Sequence, residues 1–371
     1  MGTNVLISGH CDARFTAVRE AFEENFTRRG DAGAAVSLIL AGETVVDLRG
    51  GWRDAARTAP WEADTVVNLW STTKGVGAIC FAMLVDRGLI SYEDRVADHW
   101  PAFGANGKDE VTIGMLLSHQ AGLSGFSTPA AVEDLLAGAI AADRLAAQAP
   151  LWEPGSGSGY HAISIGILAT ALFERIEGRS LKAFVRDEIA GTLGLDIALG
   201  LAPAEDGRRA EIIAPPELSS ADIGQLTAPQ IAALANPPLD PLLPNDPAWR
   251  AADLASANGH SNAAALARLY THFYRGGVGK DALAMATRAR IEGVDLVLGL
   301  PARWAAGFLL NSDGIYGPNE AAFGHSGWGG SFAFADPAAD LAMSYTMNRM
   351  GTLLRDDPRN LALIGAAYAS L

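Results

Sequence analysis

The spacing of hydrophobic and polar positions changes along the chain, and each change predicts an element. Near the N-terminus, apolar residues recur at helical spacing over residues 12–29, which predicts an amphipathic helix. Two β-rich runs follow at 34–40 and 44–48 around a short turn, and they predict a hairpin. Residues 65–69 predict a short extended segment before the pattern becomes helical.

The middle of the chain is helical in pattern. Residues 75–85 are apolar on every side, as expected for a helix buried in a core. Further helices are predicted at residues 111–117, 129–149, 163–172 and 262–273. Residues 202–248 contain nine prolines and no clear period, which predicts a long irregular loop, either a lid over a site or a disordered segment.

Alternation returns near the C-terminus. Strands are predicted at residues 304–310, 321–324, 331–335 and 341–347. A final helix is predicted at 361–371. This order predicts an α+β fold, an antiparallel sheet flanked by helices with a mostly helical lobe beside it. We expect a discontinuous α/β domain from residues 1–72 and 255–371, a helical domain from 73–254, and a site in the cleft between them.

Charge and cysteine content exclude several classes of partner and site. The 371 residues carry 28 basic and 42 acidic side chains, a net charge of −14, which argues against nucleic acid or an anionic membrane as a partner. Cys11 and Cys80 are the only cysteines, so no disulfide framework and no metal or cofactor site is predicted. No N-terminal signal pattern is visible, and the longest apolar run is too short to span a bilayer. We expect a cytoplasmic protein that acts on a small molecule.

The first candidate for chemistry is the pair Ser71 and Lys74 at the start of the apolar run. In a helix these residues lie on one face, one turn apart. A serine hydroxyl needs an adjacent base to act as a nucleophile, and a lysine amine becomes a base only when burial or a nearby charge lowers its pKa. Only four lysines occur in the chain, and arginine could not titrate in this way. The alternative is a surface lysine after a serine helix cap.

Tyr160 is the second candidate, because it follows a glycine-rich loop at residues 152–159. Glycines let the backbone approach a site closely. A phenol can accept a proton only when a nearby cation lowers its pKa, and a protonated Lys74 could supply that charge. The alternative is a tyrosine at a helix start that packs on the surface of the helical lobe.

The third candidate is the glycine-flanked stretch at residues 324–331. Such a strand can offer backbone N–H groups to a developing oxyanion, and His325 could hydrogen-bond a substrate or move a proton. The alternative is a glycine bulge with an exposed histidine.

For His119 a structural role at a helix end is favoured over catalysis. His260 could face the cleft.

Other chemistries lack their motifs. The chain has no Gly-x-Ser-x-Gly elbow, so an α/β-hydrolase triad is not expected. It also has no His-Glu-x-x-His pair, no Cys-x-x-Cys, no Walker loop and no Gly-x-Gly-x-x-Gly between a strand and a helix. Metalloprotease, phosphate-binding and dinucleotide-binding functions are therefore disfavoured.

Taken together, the candidate stretches resemble the serine β-lactamase and penicillin-binding-protein superfamily, in particular class C β-lactamases and family VIII carboxylesterases. Ser71-Thr72-Thr73-Lys74 matches the Ser-x-x-Lys element, and residues 116–123 match the Leu-Leu-x-His-x-x-Gly-Leu stretch. Trp152-x-Pro-Gly followed by Tyr160 matches the loop that presents the catalytic tyrosine. Residues 324–327 occupy the place of Lys-Thr-Gly. The matches span residues 34–347 in the expected order.

The resemblance implies a serine β-lactamase-like fold and a set of roles. Ser71 attacks a carbonyl and forms an acyl-enzyme, while Lys74 and Tyr160 act as general base and proton relay. The backbone N–H groups of Ser71 and Trp328 form the oxyanion hole, and no cofactor or metal is required. We expect the substrate to contact His325, Ser326, Gly327, Trp152, His161 and His260.

Two departures from the class C pattern indicate the substrate. Ala162 stands where the Tyr-x-Asn motif has its amide, and His325 replaces the lysine of Lys-Thr-Gly. In β-lactamases those groups bind the amide side chain and the carboxylate of the antibiotic. We therefore predict a carboxylesterase that acts on less charged esters with short-chain or aryl acyl groups. The alternatives are a β-lactamase, D-amino-acid peptidase or amide hydrolase, and a non-catalytic binding protein of this fold, against which intact Ser71, Lys74 and Tyr160 argue.

Overall fold

Strands from both ends of the chain meet in one sheet. The computed structural model describes residues 5–215 and 225–371. Its strands are β1 (Ile7–Cys11), β2 (Gly33–Leu40), β3 (Glu43–Gly51), β4 (Val67–Asn68), β5 (Ile197–Leu199), β6 (Gly259–Ser261), β7 (Ile291–Val294), β8 (Pro301–Trp304), β9 (Leu309–Leu310), β10 (Phe323–Ser326), β11 (Phe332–Asp336) and β12 (Leu341–Met347). Within this part of the chain, nine strands pair antiparallel in the order β1-β3-β2-β12-β11-β10-β9-β8-β7, and β4, β6 and β5 form a small second sheet.

Helices lie on both faces of the large sheet. They are α1 (Thr16–Thr27), α2 (Thr73–Asp86), α3 (Val96–His99), α4 (Ile113–Leu117), α5 (Val132–Leu135), α6 (Ala139–Ala147), α7 (Ser164–Glu177), α8 (Leu181–Phe184), α9 (Ala228–Leu234), α10 (Pro247–Ala251), α11 (Ala263–His272), α12 (Lys280–Thr287) and α13 (Pro358–Ala369). A short 3-10 turn, Trp70–Thr72, leads directly into α2. The α+β class with an antiparallel sheet, expected from the sequence, is confirmed.

Two apolar cores lie on opposite faces of the large sheet. On one face α1 and α13 pack against the sheet through residues such as Phe22, Phe334 and Leu363. On the other face the larger core surrounds α2, whose apolar side chains are almost all buried, as its uniform hydrophobicity predicts. This places the N-terminus of α2, and with it Ser71, beside the end of β10.

The proline-rich segment at residues 202–248 is more regular than predicted. Its residues 216–224 lie outside the part that the structure describes, but the remainder contains α9 and α10 and two 3-10 turns. Pro229 and Pro247 stand in the first turn of α9 and α10, where a helix loses no hydrogen bond to proline. The prediction of an irregular loop is therefore wrong where these helices and turns form, because several prolines begin them.

Glycines interrupt two elements that the sequence pattern presents as continuous. The predicted strand at 304–310 divides into β8 and β9, since Gly307 has φ +85° and its N–H donates to the Leu117 carbonyl. The predicted helix at 129–149 divides into α5 and α6 at Gly138, which has φ +57°. Such positive φ values favour glycine and end regular structure.

The expected division into two domains at residues 72/73 and 254/255 stays a prediction. The larger core contains residues from both proposed domains, for example Leu168 of α7 and Ala333 of β11.

Among residues 5–215 and 225–371, no helix has the length and apolar character needed to cross a membrane.

Candidate active site

Ser71 is presented by a strained turn. The preceding residue, Trp70, has φ +47°, a conformation that costs a non-glycine residue about 1–3 kcal/mol. Its indole is buried between Trp249 and Trp328, at centroid distances of 5.3 and 4.9 Å. This packing holds the strained backbone in place, and Ser71 stands at the N-terminal end of α2.

The two threonines after Ser71 tie it to the sheets on either side. Thr72 Oγ1 lies 2.9 Å from Ser331 Oγ, which itself donates to the Leu69 carbonyl. Thr73 Oγ1 accepts a hydrogen bond of 3.0 Å from the N–H of Gly259 in β6. Both threonine side chains are fully buried, so the backbone around the nucleophile is fixed from both sides.

Lys74 makes three hydrogen-bonding contacts, one of them to Ser71. Its Nζ lies 3.0 Å from Ser71 Oγ, 2.7 Å from the Ala162 carbonyl and 3.0 Å from the Ser256 carbonyl. The side chain is only 6% exposed, and this desolvation lowers the pKa of the amine well below its usual value. In its neutral form the amine can donate to the two carbonyls and accept the proton of the Ser71 hydroxyl.

Tyr160 completes a three-residue cluster around the nucleophile. Its hydroxyl donates a hydrogen bond of 2.7 Å to Ser71 Oγ, and Lys74 Nζ lies 4.8 Å from its ring centroid. Burial raises the pKa of the phenol above its usual value, and the hydrogen bond to Ser71 offsets only part of that effect. The phenol is therefore protonated at neutral pH.

Asp295 and Trp304, which the sequence reading missed, hold Tyr160 in position. The backbone N–H of Tyr160 donates to Asp295 Oδ1 at 2.8 Å, and Trp304 Nε1 donates to Asp295 Oδ2 at 3.1 Å. The indole of Trp304 lies parallel to the Tyr160 ring at 5.7 Å with an interplanar angle of 9°. Asp295 follows β7, 135 positions from Tyr160, so no local pattern links them.

Two buried histidines support the same ring. His119 Nδ1 accepts the backbone N–H of His161 at 3.2 Å, and the His119 ring packs edge-on against Tyr160 at 5.1 Å and Trp304 at 4.5 Å. Both nitrogens of His161 are engaged with the backbone, at Leu123 N and Gly159 O. Burial lowers the pKa of His161 to about 4, so its ring is neutral. These contacts give both histidines a supporting position behind Tyr160.

His325 lies near the end of β10, beside Tyr160 and Trp304. Its ring is 6.2 Å from that of Tyr160 and 6.1 Å from that of Trp304, each at an interplanar angle of 30°. Nδ1 lies 2.9 Å from the Ser326 carbonyl, so it carries the proton, while Nε2 is buried and has no partner among the described residues. Burial, together with the nearby Lys74, lowers the pKa of His325 to about 3. At neutral pH it is an uncharged hydrogen-bond acceptor.

The turn after His325 lies against Ser71. Gly327 and Gly330 are joined by a hydrogen bond of 3.1 Å, so Trp328 stands inside a tight turn. A Cβ on Gly327 would lie 2.3 Å from the Leu69 carbonyl, which shows how closely this backbone approaches the nucleophile's turn. Ser326 points away, toward the Tyr316 hydroxyl at 3.2 Å.

Trp152 and His260, which the sequence predicts as substrate contacts, are held mainly by their own surroundings. Trp152 packs within its own loop, where Nε1 donates to the Gly157 carbonyl and its ring lies 5.7 Å from that of His161. His260 is buried in β6 with Nδ1 2.9 Å from the Asn258 carbonyl. Among the described residues, no hydrogen bond or ring contact joins His260 to Ser71, Lys74 or Tyr160.

The described residues also contain no group of three acidic, histidine or cysteine side chains that could hold a metal.

Comparison with known proteins shows the family of this chain. Residues 18–367 match the family described as Beta-lactamase. The chain is 34% identical over 363 residues to the Mycobacterium tuberculosis protein "Esterase/beta-lactamase LipL", covering 93% of this chain and 83% of that protein. A crystal structure of a penicillin-binding protein homologue from Caulobacter crescentus superposes with a TM-score of 0.93 at 43% identity, covering 99% of this chain and all of that one. A family VIII carboxylesterase structure has the same TM-score and coverage at 42% identity.

Proposed function

Because this chain belongs to the Beta-lactamase family of serine hydrolases, we propose that it cleaves carboxylic esters through an acyl-enzyme on Ser71. The observation that carries the proposal is the cluster in which Ser71 Oγ lies within hydrogen-bond distance of both Lys74 Nζ and the Tyr160 hydroxyl, at 3.0 and 2.7 Å. A nucleophile with a desolvated base and a proton donor on the same oxygen is the arrangement that acyl transfer requires.

In acylation, the neutral amine of Lys74 takes the proton of Ser71 as Oγ attacks the ester carbonyl. The new Oγ–C bond leaves a negative charge on the carbonyl oxygen, which the backbone N–H groups of Ser71 and Trp328 stabilise. When the bond to the alcohol breaks, Tyr160 gives its proton to the departing oxygen, and the ammonium of Lys74 restores it. Alcohol leaves, and the acyl group stays on Ser71.

In deacylation the same groups act in the reverse order. A water molecule takes the place of the alcohol, gives its proton to the Lys74–Tyr160 pair and attacks the acyl carbonyl. The bond to Ser71 Oγ breaks and Oγ regains a proton. A carboxylic acid is released and the resting site is restored.

The preference for an ester rests on the neutral state of His325. A substrate carboxylate needs a cation, but burial and Lys74 keep the pKa of His325 at about 3, so this ring carries no charge at neutral pH. Ala162 has no side-chain amide to bind an acylamino group; only its carbonyl contributes, to Lys74. Both features favour an uncharged ester over an anionic β-lactam.

Turnover of two substrates separates this function from its nearest alternative. We expect the kcat/KM for p-nitrophenyl butyrate to exceed that for nitrocefin. Equal or higher efficiency on nitrocefin would contradict the ester preference and favour a β-lactamase or amide hydrolase on the same machinery, an alternative supported by the name of the Mycobacterium tuberculosis relative.

The mechanism is tested at its first step. A fluorophosphonate probe should label the native protein at Ser71 and leave Ser71→Ala unlabelled, with ester turnover abolished in that variant. Lys74→Ala should lose nearly as much activity, because residues that act as a unit fail together. A folded native protein that does not react with the probe would favour a non-catalytic binding protein of this fold.

A further inference from the structure

The turn that carries Trp328 is joined to the turn that presents the nucleophile. Ser331 Oγ lies 2.9 Å from Thr72 Oγ1, and the ring of Trp328 lies 4.9 Å from that of Trp70. The N–H of Gly327 donates to the Ser331 carbonyl at 2.7 Å and closes the turn. These contacts fix one part of the turn, but they do not include its other end.

That other end is held at the carbonyl of Gly329. This oxygen accepts hydrogen bonds from Arg359 Nη2 at 2.5 Å and from the N–H of Gly351 at 2.8 Å. Arg359 Nη1 also donates to the Arg349 carbonyl at 2.8 Å. One guanidinium therefore joins the turn to the segment that follows β12.

Two carboxylates keep the guanidinium in this place. Asp357 accepts from Arg359 Nε and Nη2 at 3.0 and 2.6 Å, and Asp31 accepts from Nη1 at 2.9 Å. All three side chains are buried. Because the guanidinium is planar and is bound by Asp357 at two of its nitrogens, its orientation is fixed, and Nη2 is presented to the Gly329 carbonyl.

The guanidinium packs directly against the turn. A Cβ on Gly330 would lie 2.5 Å from Arg359 Nη2, and a Cβ on Gly351 would lie 2.6 Å from the same atom. Glycine at both positions lets the backbone come this close. Removal of the guanidinium would thus leave both an unpaired carbonyl and a gap next to the turn.

The N–H of Trp328 takes no part in these contacts. In the part of the chain that the structure describes, no residue accepts a hydrogen bond from it, whereas the N–H groups of Gly327 and Gly330 are both bonded within the turn. A free N–H stabilises an oxyanion best when its direction is fixed before the reaction, since no reorganisation is then needed. The direction of this N–H follows from the position of the turn.

We propose that Arg359 is a positioning residue for the oxyanion hole, and that it acts by holding the carbonyl of Gly329, the residue after Trp328. The inference rests on the proposed function, which places the Trp328 N–H in that hole. In this role Arg359 does not touch the substrate. Its effect belongs to the transition state, in which the carbonyl oxygen becomes negative, so its loss should lower kcat and leave KM nearly unchanged.

Two variants separate this role from a role in stability. Asp31→Asn removes one partner of Arg359 but leaves the contacts with Asp357 and Gly329. The double variant Arg359→Met with Asp31→Asn removes the guanidinium as well. With p-nitrophenyl butyrate we expect kcat of the double variant to be about tenfold to a hundredfold below that of Asp31→Asn, with little change in KM, because a displacement of about 1 Å can cost a hundredfold in rate.

A thionoester provides a readout that stability alone does not move. In p-nitrophenyl thionobutyrate a sulfur replaces the carbonyl oxygen, and sulfur accepts hydrogen bonds more weakly. The ratio of kcat/KM for the oxoester to kcat/KM for the thionoester therefore reports the contribution of the N–H donors. We expect this ratio to be about tenfold lower in the double variant than in Asp31→Asn, part of the roughly 100–1,000-fold that loss of a whole donor costs. A smaller folded fraction would lower both substrates equally and leave the ratio unchanged.

Two outcomes would overturn the inference. Equal kcat and equal ratios in the two variants would leave Arg359 with a structural role only. A change confined to KM would assign Arg359 to substrate binding. If the double variant does not fold, Arg359→Lys takes its place, with the native protein as reference and the same expected changes, because it keeps a cation between the carboxylates but lacks the planar fork. A native protein that turns over neither ester and does not react with the fluorophosphonate would contradict the proposed function itself, and with it this role.

Discussion

The backbone N–H of Tyr160 donates a hydrogen bond of 2.8 Å to the carboxylate of Asp295. That carboxylate is fully buried and also accepts from the N–H groups of Val297 and Leu298 and from the indole of Trp304. Trp304 in turn lies flat against the Tyr160 ring. One carboxylate therefore fixes both the main chain and the ring of the residue proposed to protonate the leaving group.

Replacing Asp295 by Asn should lower kcat by about tenfold to a hundredfold with little change in KM. The amide keeps an oxygen for the Tyr160 N–H but turns a donor toward Trp304, so the ring of Tyr160 shifts relative to Ser71, and small misplacements of catalytic groups are costly. Trp304→Phe, which keeps a ring but loses the N–H donor, should have a smaller effect of the same kind. Steady-state kinetics on p-nitrophenyl butyrate measure both.

The matched control is Asp336→Asn at the end of β11. Asp336 is also fully buried and accepts from Asn319, Tyr368 and Ala338, but it lies on the other core, away from Ser71. We expect this variant to lower the unfolding temperature without changing kcat. Equal losses of kcat in both variants would mean that Asp295 acts only through stability.

Lys74→Met should change the pH dependence of stability. Burial lowers the pKa of Lys74 in the folded state, while in the unfolded chain it is about 10.4, so between these values the unfolded state binds more protons. The destabilisation by Lys74 is therefore complete below its folded pKa, shrinks as the pH rises, and vanishes above about 10.4. Urea unfolding at pH 7 and pH 10 should show Lys74→Met gaining stability relative to the native protein at pH 7 and losing most of that gain at pH 10.

The acid side of the pH–rate profile should report Lys74. The amine must be neutral to take the Ser71 proton, so kcat/KM should fall as the pH drops through the lowered pKa of Lys74. Burial lowers the pKa of His325 to about 3 and that of His161 to about 4, so neither ring changes its protonation state near neutral pH. His325→Gln should therefore keep the same acid limb. A limb that moves in this variant would assign the titration to His325.

Gly327→Ala should abolish most of the activity while the protein stays folded. The added Cβ would lie 2.3 Å from both the Leu69 carbonyl and Ser331 Oγ, so the turn that carries Trp328 must move away from Ser71. A displacement of about 1 Å can cost a hundredfold in rate. Gly207→Ala, where no atom lies within 4 Å of the new Cβ, is the control and should keep native activity. Native kinetics in Gly327→Ala would contradict the placement of the oxyanion hole in this turn.

Arg359 should prove essential to stability. It is buried with Asp31 and Asp357, at 2.9 and 2.6 Å, and also donates to the Gly329 carbonyl. Arg359→Met leaves two buried carboxylates without a cation, which costs about 3–5 kcal/mol of unfolding free energy. Adding Asp31→Asn to that variant should recover part of the loss in urea unfolding, since one of the uncompensated charges is then gone. No recovery would mean that packing, not charge, explains the cost.

Several regular elements could be anticipated because their patterns are local. The uniform hydrophobicity of α2, the helical spacing of α1 and the alternation of β12 follow from the periods of helix and strand. The errors arose where single residues decide the backbone. Gly307 divides one predicted strand, and prolines that begin α9 and α10 make a predicted loop helical.

The sequence by itself determined which residues could carry the chemistry: a serine and a lysine one helical turn apart, a tyrosine after a glycine-rich loop, and a histidine where a lysine would bind a carboxylate. Only the tertiary structure decided how these side chains are protonated and positioned. Contacts between positions far apart in the chain desolvate Lys74 and keep the His325 ring neutral. The hydrogen bond from the Tyr160 N–H to Asp295 is also a contact of this kind. Proton affinity is set by burial and by neighbours in space, and a one-dimensional pattern contains neither.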